Sequence, residues 1–187
     1  MKYIHENHTM SFFSEKFLKN HISKIINFYY PRCMDYNNGG YINQMYDNGE
    51  IADYYTKHLV GTCRFIYNFS TCYNIFNEDK YLKAAQHGID FLYNNHRRED
   101  GSYIWVINKD KIEDKTRHCY GMAFVLLAYA VATKNKIDEE HNRKKIYETF
   151  NFLEKFFYEK NFEMYVDVID GNDLSKIDSY RGQNANM

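Results

Sequence analysis

The residues from 181 to 187, RGQNANM, concentrate hydrogen-bonding side chains in a short stretch. Arg181 carries a guanidinium group, and Gln183, Asn184 and Asn186 carry amides. These groups donate and accept hydrogen bonds in fixed directions, which suits a ligand that is rich in hydroxyl groups. The cluster therefore predicts one part of a site for a polyhydroxylated compound.

Arg64 is a second candidate for binding chemistry. It is predicted to lie on a helix, two turns after Lys57 on the same face. Its apolar neighbours are Val60 and Phe65. A guanidinium in such a setting can offer several donors to an oxyanion, and the alternative is an ion pair with a surface carboxylate.

The eight histidines show no spacing that is typical of metal ligands, so we predict neither a metal nor a cofactor. His118 lies two residues before Tyr120 and is the only histidine expected near a pocket. Its alternative role is a capping or surface group at a helix start. The chain has no GxGxxG, P-loop or GxSxG sequence, so nucleotide binding and acyl transfer have no support.

Composition argues against two classes of partner. The 24 basic and 25 acidic side chains give a formal net charge of -1, so no field attracts nucleic acid or an anionic membrane. The longest apolar run, MAFVLLAYAVA at residues 122–132, is too short to cross a bilayer.

Four cysteines without a CxxC pair and no signal-type leader indicate a cytoplasmic protein.

The elements that must position these residues repeat along the chain. Three segments share one plan, which is an amphipathic helix, a turn, an extended hairpin and a second helix. Aligning them places three tyrosines at the strand starts: Tyr41, Tyr103 and Tyr165. Three basic residues then fall at the starts of the second helices: Lys57, Arg117 and Arg181. In the third segment the chain reaches RGQNANM where its second helix should begin.

Helix pairs of this kind cannot bury their apolar faces singly, so they stack. We predict an all-α fold, an (α/α) toroid of helix pairs that are joined by short β-hairpins. The run at 122–132 suits an inner helix that is buried on all sides, and the hairpins are expected to meet at one rim as a pocket. The whole chain, 1–187, is predicted to be a single domain in which residues 1–10 are flexible.

Three stretches carry a resemblance to a known family: KHLVGTCRFIYNF at 57–69, CYGMAFVLLAYA at 119–130 and RGQNANM at 181–187. They resemble the N-acylglucosamine 2-epimerase family, which includes aldose–ketose isomerases acting on mannose and on sulfoquinovose. The resemblance covers residues 11–187 and matches the N-terminal half of such proteins. It implies about half of an (α/α)6 barrel.

The resemblance also implies roles for three side chains in binding a mannose-like monosaccharide. Arg64 would bind sugar oxygens, Tyr120 would reach the sugar, and Asn184 would hold its hydroxyl groups. From the residues alone, Tyr120 is equally typical of a core tyrosine. Met122 departs from the family pattern, in which we expect a polar residue on the pocket floor.

The implied chemistry is proton transfer at the second carbon of a sugar through an enediolate. The family's acid and base are two histidines of the second half of the barrel, so no catalytic residue is assigned here. The expectation is an N-terminal fragment of a sugar 2-epimerase or isomerase that is inactive alone. Self-association, or a second chain that completes the barrel, is expected because half a ring exposes apolar helix faces.

Two other classes of protein stay open at this stage. A non-catalytic helical-repeat binding module would use the same polar cluster without chemistry. A glycoside hydrolase on a similar helical ring would require a pair of carboxylates. Asp53 and Asp114 lie in the predicted hairpins, but nothing in the sequence ties them together.

Overall fold

A computed structural model of the chain describes residue 12 and residues 14–186. The segment 1–10, predicted to be flexible, lies outside the described residues. Six α-helices follow one another in the described part, namely α1 (Glu15–Tyr29), α2 (Leu59–Phe76), α3 (Asp79–Phe91), α4 (Cys119–Lys134), α5 (Glu139–Phe156) and α6 (Gln183–Asn186). The predicted toroid of helix pairs is confirmed for this part of the ring.

Short strands and one π-helical turn connect the helices. The turn, Leu92–His96, extends α3. The strands are β1 (Gln44–Met45), β2 (Ile51–Asp53), β3 (Thr56–His58), β4 (Val106–Asn108), β5 (Lys111–Asp114), β6 (Arg117–His118), β7 (Tyr158–Glu159), β8 (Met164–Tyr165) and β9 (Val168–Ile169).

The predicted repeat register is confirmed. Each inner helix, α2, α4 or α6, begins two residues after the basic residue that was aligned with the others. Each aligned tyrosine pairs with a residue just after the outer helix of its repeat, in the pairs Met34–Tyr41, Arg97–Tyr103 and Tyr158–Tyr165. The turn at residues 47–49 closes the hairpin of β1 and β2, with Gly49 at φ +84°.

Strand pairing carries the chain from one repeat to the next. β3 of the first repeat pairs antiparallel with β4 of the second, and β6 of the second pairs with β9 of the third. The backbone bonds Leu59 N to Trp105 O (3.0 Å) and Cys119 N to Asp167 O (2.9 Å) continue these ladders at the helix starts. As a result, the starts of the inner helices are held at one rim.

The core lies between the outer and inner helices. α2 packs against α3 and α4, and α4 packs against α5. Small residues permit close approach of α3 to α2: a Cβ at Gly88 would overlap the hydroxyl of Tyr41 and the side chain of Ile66. Because Tyr41 is fully buried and its hydroxyl donates to the Ala84 carbonyl (2.7 Å), this contact cannot relax outward.

The expectation that α4 is buried on all sides is wrong. One face carries the buried Met122, Val125 and Tyr129, whereas Leu127 on the opposite face is 41% exposed. Ala123 and Ala130 on that face are also exposed. Met122 is 1% exposed and belongs to the core, so it does not form a pocket floor.

Candidate functional site

Each inner helix is preceded by an ion pair that fixes its start. The pairs are Lys57–Asp35 (2.7 Å), Arg117–Asp100 (2.6 Å) and Arg181–Glu159. In every repeat the carboxylate comes from the segment that follows the outer helix, so the pair connects the end of the outer helix to the start of the inner one. The aligned basic residues are therefore structural ties.

The first pair is the most deeply buried, since the side chains of Lys57 and Asp35 are only 2% and 5% exposed. Burial raises the pKa of Asp35, but hydrogen bonds from Lys57 and Asn38 outweigh it and hold the pKa below its usual value. Lys57 lies in β3 and not on the helix of Arg64, which corrects the predicted placement.

The second residue after each aligned tyrosine supplies the rim with a side chain: Asn43, Trp105 and Asp167. Asn43 Oδ1 accepts a hydrogen bond from the backbone N–H of His58. Asp167 Oδ2 accepts one from the backbone N–H of Gly182, at the equivalent position. The repeats thus present three non-identical side chains from one structural position.

These positions surround a cleft of about 620 Å³ at the rim, within the range that binds small molecules. Its lining draws on all three repeats and on both the strands and the inner helices. The lining residues are Asn43, Gln44, His58, Val60, Gly61, Arg64, Trp105, His118, Tyr120, Asp167, Val168 and Asn184. The three candidate binding residues, Arg64, Tyr120 and Asn184, are therefore brought together in one cleft.

Arg64 and Tyr120 are in direct contact. Nη2 of Arg64 donates to the Tyr120 hydroxyl at 3.0 Å, and the guanidinium lies 5.0 Å from the ring centroid of Phe124. No ion pair of Arg64 is present among residues 14–186, so the surface-carboxylate alternative is not what the structure shows. The Arg64 side chain is exposed to the cleft, with donors left for a ligand.

Asn184 lies on the first turn of α6 and is exposed to the same cleft. Two other residues of the polar cluster, Arg181 and Asn186, bind to other parts of the protein. Arg181 pairs with Glu159, and Asn186 bonds to the backbone N–H and carbonyl of Tyr165 at 2.7 and 3.0 Å. Of this predicted cluster, Asn184 is the residue that lines the cleft.

Two histidines line the cleft, not His118 alone as predicted. His58 is its equivalent in the first repeat, next to Lys57 as His118 is next to Arg117. Burial lowers the pKa of both imidazoles, and the positive charge of Arg64 lowers that of His58 further. Aligning the repeats one residue beyond the basic positions would have identified both.

The carboxylates considered for hydrolysis do not form a pair at the cleft. Asp53 accepts hydrogen bonds from the backbone of Tyr55 and Thr56, and Asp114 accepts one from Thr116. Both stabilise turns, and neither lines the cleft. Within the described ranges, no group of three His, Cys, Asp or Glu side chains could hold a metal ion. No helix there is long and apolar enough to cross a membrane.

Comparison with known proteins decides the family. The sequence profile described as N-acylglucosamine 2-epimerase (GlcNAc 2-epimerase) matches residues 40–187, which includes the whole cleft. The chain belongs to the N-acylglucosamine 2-epimerase family. The predicted resemblance is thereby confirmed.

Within the N-acylglucosamine 2-epimerase family, the chain is 40% identical over 177 residues to a D-mannose isomerase from Marinomonas mediterranea. That match covers 95% of this chain and 44% of the isomerase. A cellobiose 2-epimerase from Dictyoglomus turgidum is 34% identical over 119 residues, covering 61% of this chain and 30% of that protein. The chain thus spans less than half the length of these relatives.

A solved structure of this family agrees with the fold. The crystal structure of a D-mannose isomerase superposes with a TM-score of 0.87 at 40% identity. The superposition covers 92% of this chain and 43% of the other chain. The helix pairs of this chain are therefore arranged like the helix pairs in a part of that isomerase, and this part is less than half of its length.

Proposed function

We propose that the cleft binds a mannose-like monosaccharide as part of a 2-epimerase or aldose–ketose isomerase. The observation that carries the proposal is the convergence of Arg64, Tyr120 and Asn184 on one cleft in a chain 40% identical to D-mannose isomerase. The motifs that carry the resemblance supply all three side chains.

Arg64 suits the oxygens next to the reacting carbon. Proton removal beside a carbonyl places negative charge on the oxygens of an enediolate, and a guanidinium offers several charge-assisted hydrogen bonds to them. The Tyr120 hydroxyl accepts from Arg64, so it both orients the guanidinium and keeps its own proton available to a sugar oxygen. Asn184 adds an amide that can donate to one hydroxyl and accept from another.

Proton transfer itself is proposed to need residues beyond these. The resemblance assigns the acid and the base to histidines of the second half of the barrel, and this chain spans 44% of the length of the isomerase it matches. We therefore expect the chain to bind the sugar without exchanging the proton on its second carbon.

Calorimetry with D-mannose, combined with NMR of the sugar in D₂O, tests both parts. The expected result is saturable binding without deuterium incorporation at the second carbon. Incorporation at a rate above that of buffer would show that the chain acts alone. Absence of binding would overturn the assignment of the cleft to a sugar.

The exposed side of the inner helices is proposed to be covered by a second copy or by another polypeptide that completes the ring. Leu127 on α4 is 41% exposed and Tyr67 on α2 is 40% exposed. Exposed apolar side chains on neighbouring helices are typical of an interaction surface.

The four cysteines are free and buried, which supports the proposal of a cytoplasmic location.

A further inference from the structure

The indole of Trp105 lies between two imidazoles in the cleft. Its ring centroid is 4.5 Å from that of His58, in an edge-to-face arrangement, and 3.9 Å from that of His118, in a stacked one. All three rings line the cleft that Arg64 enters. They form what we call the His–Trp–His stack, defined by residues 58, 105 and 118.

The ring nitrogens of this stack differ from those of the buried His96. His96 is fully buried and satisfied, with Nδ1 2.9 Å from the Ile104 carbonyl and Nε2 3.4 Å from the Thr62 hydroxyl. By contrast, within residues 14–186 the structure gives no hydrogen-bond partner to the ring nitrogens of His58 or His118. Both imidazoles are half-buried, so their nitrogens are available to a molecule in the cleft.

The surroundings favour neutral imidazoles. Burial lowers the pKa of both rings, Arg64 lowers that of His58, and the charge of His58 lowers that of His118. Asp114 opposes the effect at both rings, and Asp167 opposes it at His118, without reversing the direction. A neutral imidazole has one N–H donor and one acceptor nitrogen, which matches the hydroxyl groups of a sugar.

Trp105 departs from the pattern of its own repeat position. The equivalent Asn43 and Asp167 each accept a hydrogen bond from the backbone just before an inner helix. An indole has no acceptor, so Trp105 cannot make this bond and packs against the two imidazoles instead. Space for it exists because residue 121 is glycine: a Cβ there would lie 2.8 Å from the indole ring.

We propose that His58 and His118 determine specificity by hydrogen bonding to hydroxyl groups of the bound sugar. Trp105 is a positioning residue that sets the orientation of the two imidazoles. The inference rests on the proposed function, since it assigns further contacts within the same cleft.

The test uses phenylalanine, which keeps an aromatic ring and removes the nitrogens. Calorimetry with D-mannose should show binding weakened about 3- to 10-fold in His58→Phe and in His118→Phe, the loss expected for one hydrogen bond. The matched control is His141→Phe, because His141 is exposed on the outer helix α5 and packs on Tyr93. Its affinity for D-mannose should equal that of the wild type.

Monodeoxy mannoses separate a direct contact from a change of shape. If an imidazole binds one hydroxyl, removing that hydroxyl should weaken binding to the wild type but not to the corresponding phenylalanine variant. Trp105→Ala should lose this discrimination at both imidazoles, and Trp105→Phe should restore part of it. A purely structural role for Trp105 would change stability and leave the discrimination unaltered.

The possible failures are distinguishable. Wild-type chain that binds no D-mannose would overturn the proposed function and this inference together. Wild-type binding that stays unchanged in both phenylalanine variants would overturn the inference alone and leave the proposed function standing. Because Trp105 is the only tryptophan of the chain, a change in its fluorescence on adding D-mannose is expected as an independent sign of binding.

Discussion

At the scale of single residues, the cleft combines a cation, neutral polar groups and aromatic rings. Arg64 is held by the Tyr120 hydroxyl and lies over Phe124, so its guanidinium is oriented before a ligand arrives. A side chain that is already oriented loses less conformational entropy when the ligand binds, so the entropic cost of binding is smaller. Arg64 is therefore expected to dominate the affinity for a sugar.

Replacing Arg64 tests this expectation. Arg64→Ala should weaken D-mannose binding about 10- to 100-fold, as expected for the loss of hydrogen bonds from a charged donor. Arg64→Lys should recover only part of it, since an ammonium cannot reproduce the planar fork of a guanidinium. Calorimetry measures the affinity, and Lys83→Ala, on the exposed side of α3, is the control. Equal affinity in all four proteins would contradict a role for Arg64.

Some of these residues could be predicted from the sequence and others could not. Arg64, Tyr120 and Asn184 lie in stretches with a recognisable pattern. His58, Trp105 and Asp167 lie in or next to short strands, where side-chain direction depends on pairing with the next repeat. The polar cluster at 181–187 misled in part, because composition does not distinguish Asn186, which bonds to Tyr165, from Asn184, which faces the cleft.

At the scale of elements, the same kind of ion pair recurs in all three repeats. A basic residue two positions before each inner helix pairs with a carboxylate after the outer helix. Alignment of the segments predicted the position of Lys57, but its burial could not be foreseen, because Asp35 reaches it only once the turn has folded. The strand ladders between repeats were missed for the same reason, since their partners are distant in sequence.

Breaking the buried tie should destabilise the fold. Lys57→Met leaves the Asp35 carboxylate buried without its partner, which typically costs about 3 to 5 kcal/mol. Denaturant titration measures the free energy of unfolding. Lys19→Met is the control, because the Lys19–Glu15 pair is exposed and should contribute less than about 1 kcal/mol. Similar losses in both variants would contradict the structural importance of the tie.

The same pair predicts how stability depends on pH. The pKa of Asp35 is lower in the folded chain than in the unfolded one, so its contribution is fully present above the unfolded value of about 4. It should be lost as the pH falls through the folded pKa. Denaturant titrations from pH 6 down to about pH 3 should show a smaller acid-induced loss in Asp35→Asn than in the wild type. Identical slopes would contradict the lowered pKa.

The crossing of α2 and α3 predicts a further effect. Gly88→Ala places a methyl group against Tyr41 and Ile66, both of which are fully buried. Overpacking of this kind costs about 1 to 3 kcal/mol, which exceeds the helix propensity that alanine gains. Thermal unfolding should show a lower Tm, and Lys83→Ala on the same helix should not. A raised Tm would mean that the helices lie further apart.

At the scale of the whole molecule, strand pairing holds the helix starts of the described part together at one rim, whereas one side of the inner helices is exposed. Strand pairing gathers the helix starts at the cleft, whereas α4 presents Leu127 to solvent. The repeat pattern predicted the ring. The expectation that half a ring exposes apolar helix faces agrees with the exposure of Leu127. The apolar run at 122–132 could not show which face of α4 is exposed, because nearly every position in it is apolar.

Association through this side is expected. Light scattering should give a mass above the 22.6 kDa of one chain. Leu127→Glu should shift that mass towards the monomer, because it places a charge on the proposed interface. Tyr147→Glu, at a 69% exposed position on α5, should leave it unchanged. A clean monomer of the wild type would count against association.

The most direct test of the cleft as a sugar site is an NMR titration of the ¹⁵N-labelled chain with D-mannose. Arg64, Tyr120 and Asn184 come from the inner helices of three different repeats, yet they face one cleft. The expected result is a set of saturable shift changes centred on these three residues and on the single indole N–H of Trp105. Changes centred on another surface, or none at all, would contradict the proposed site.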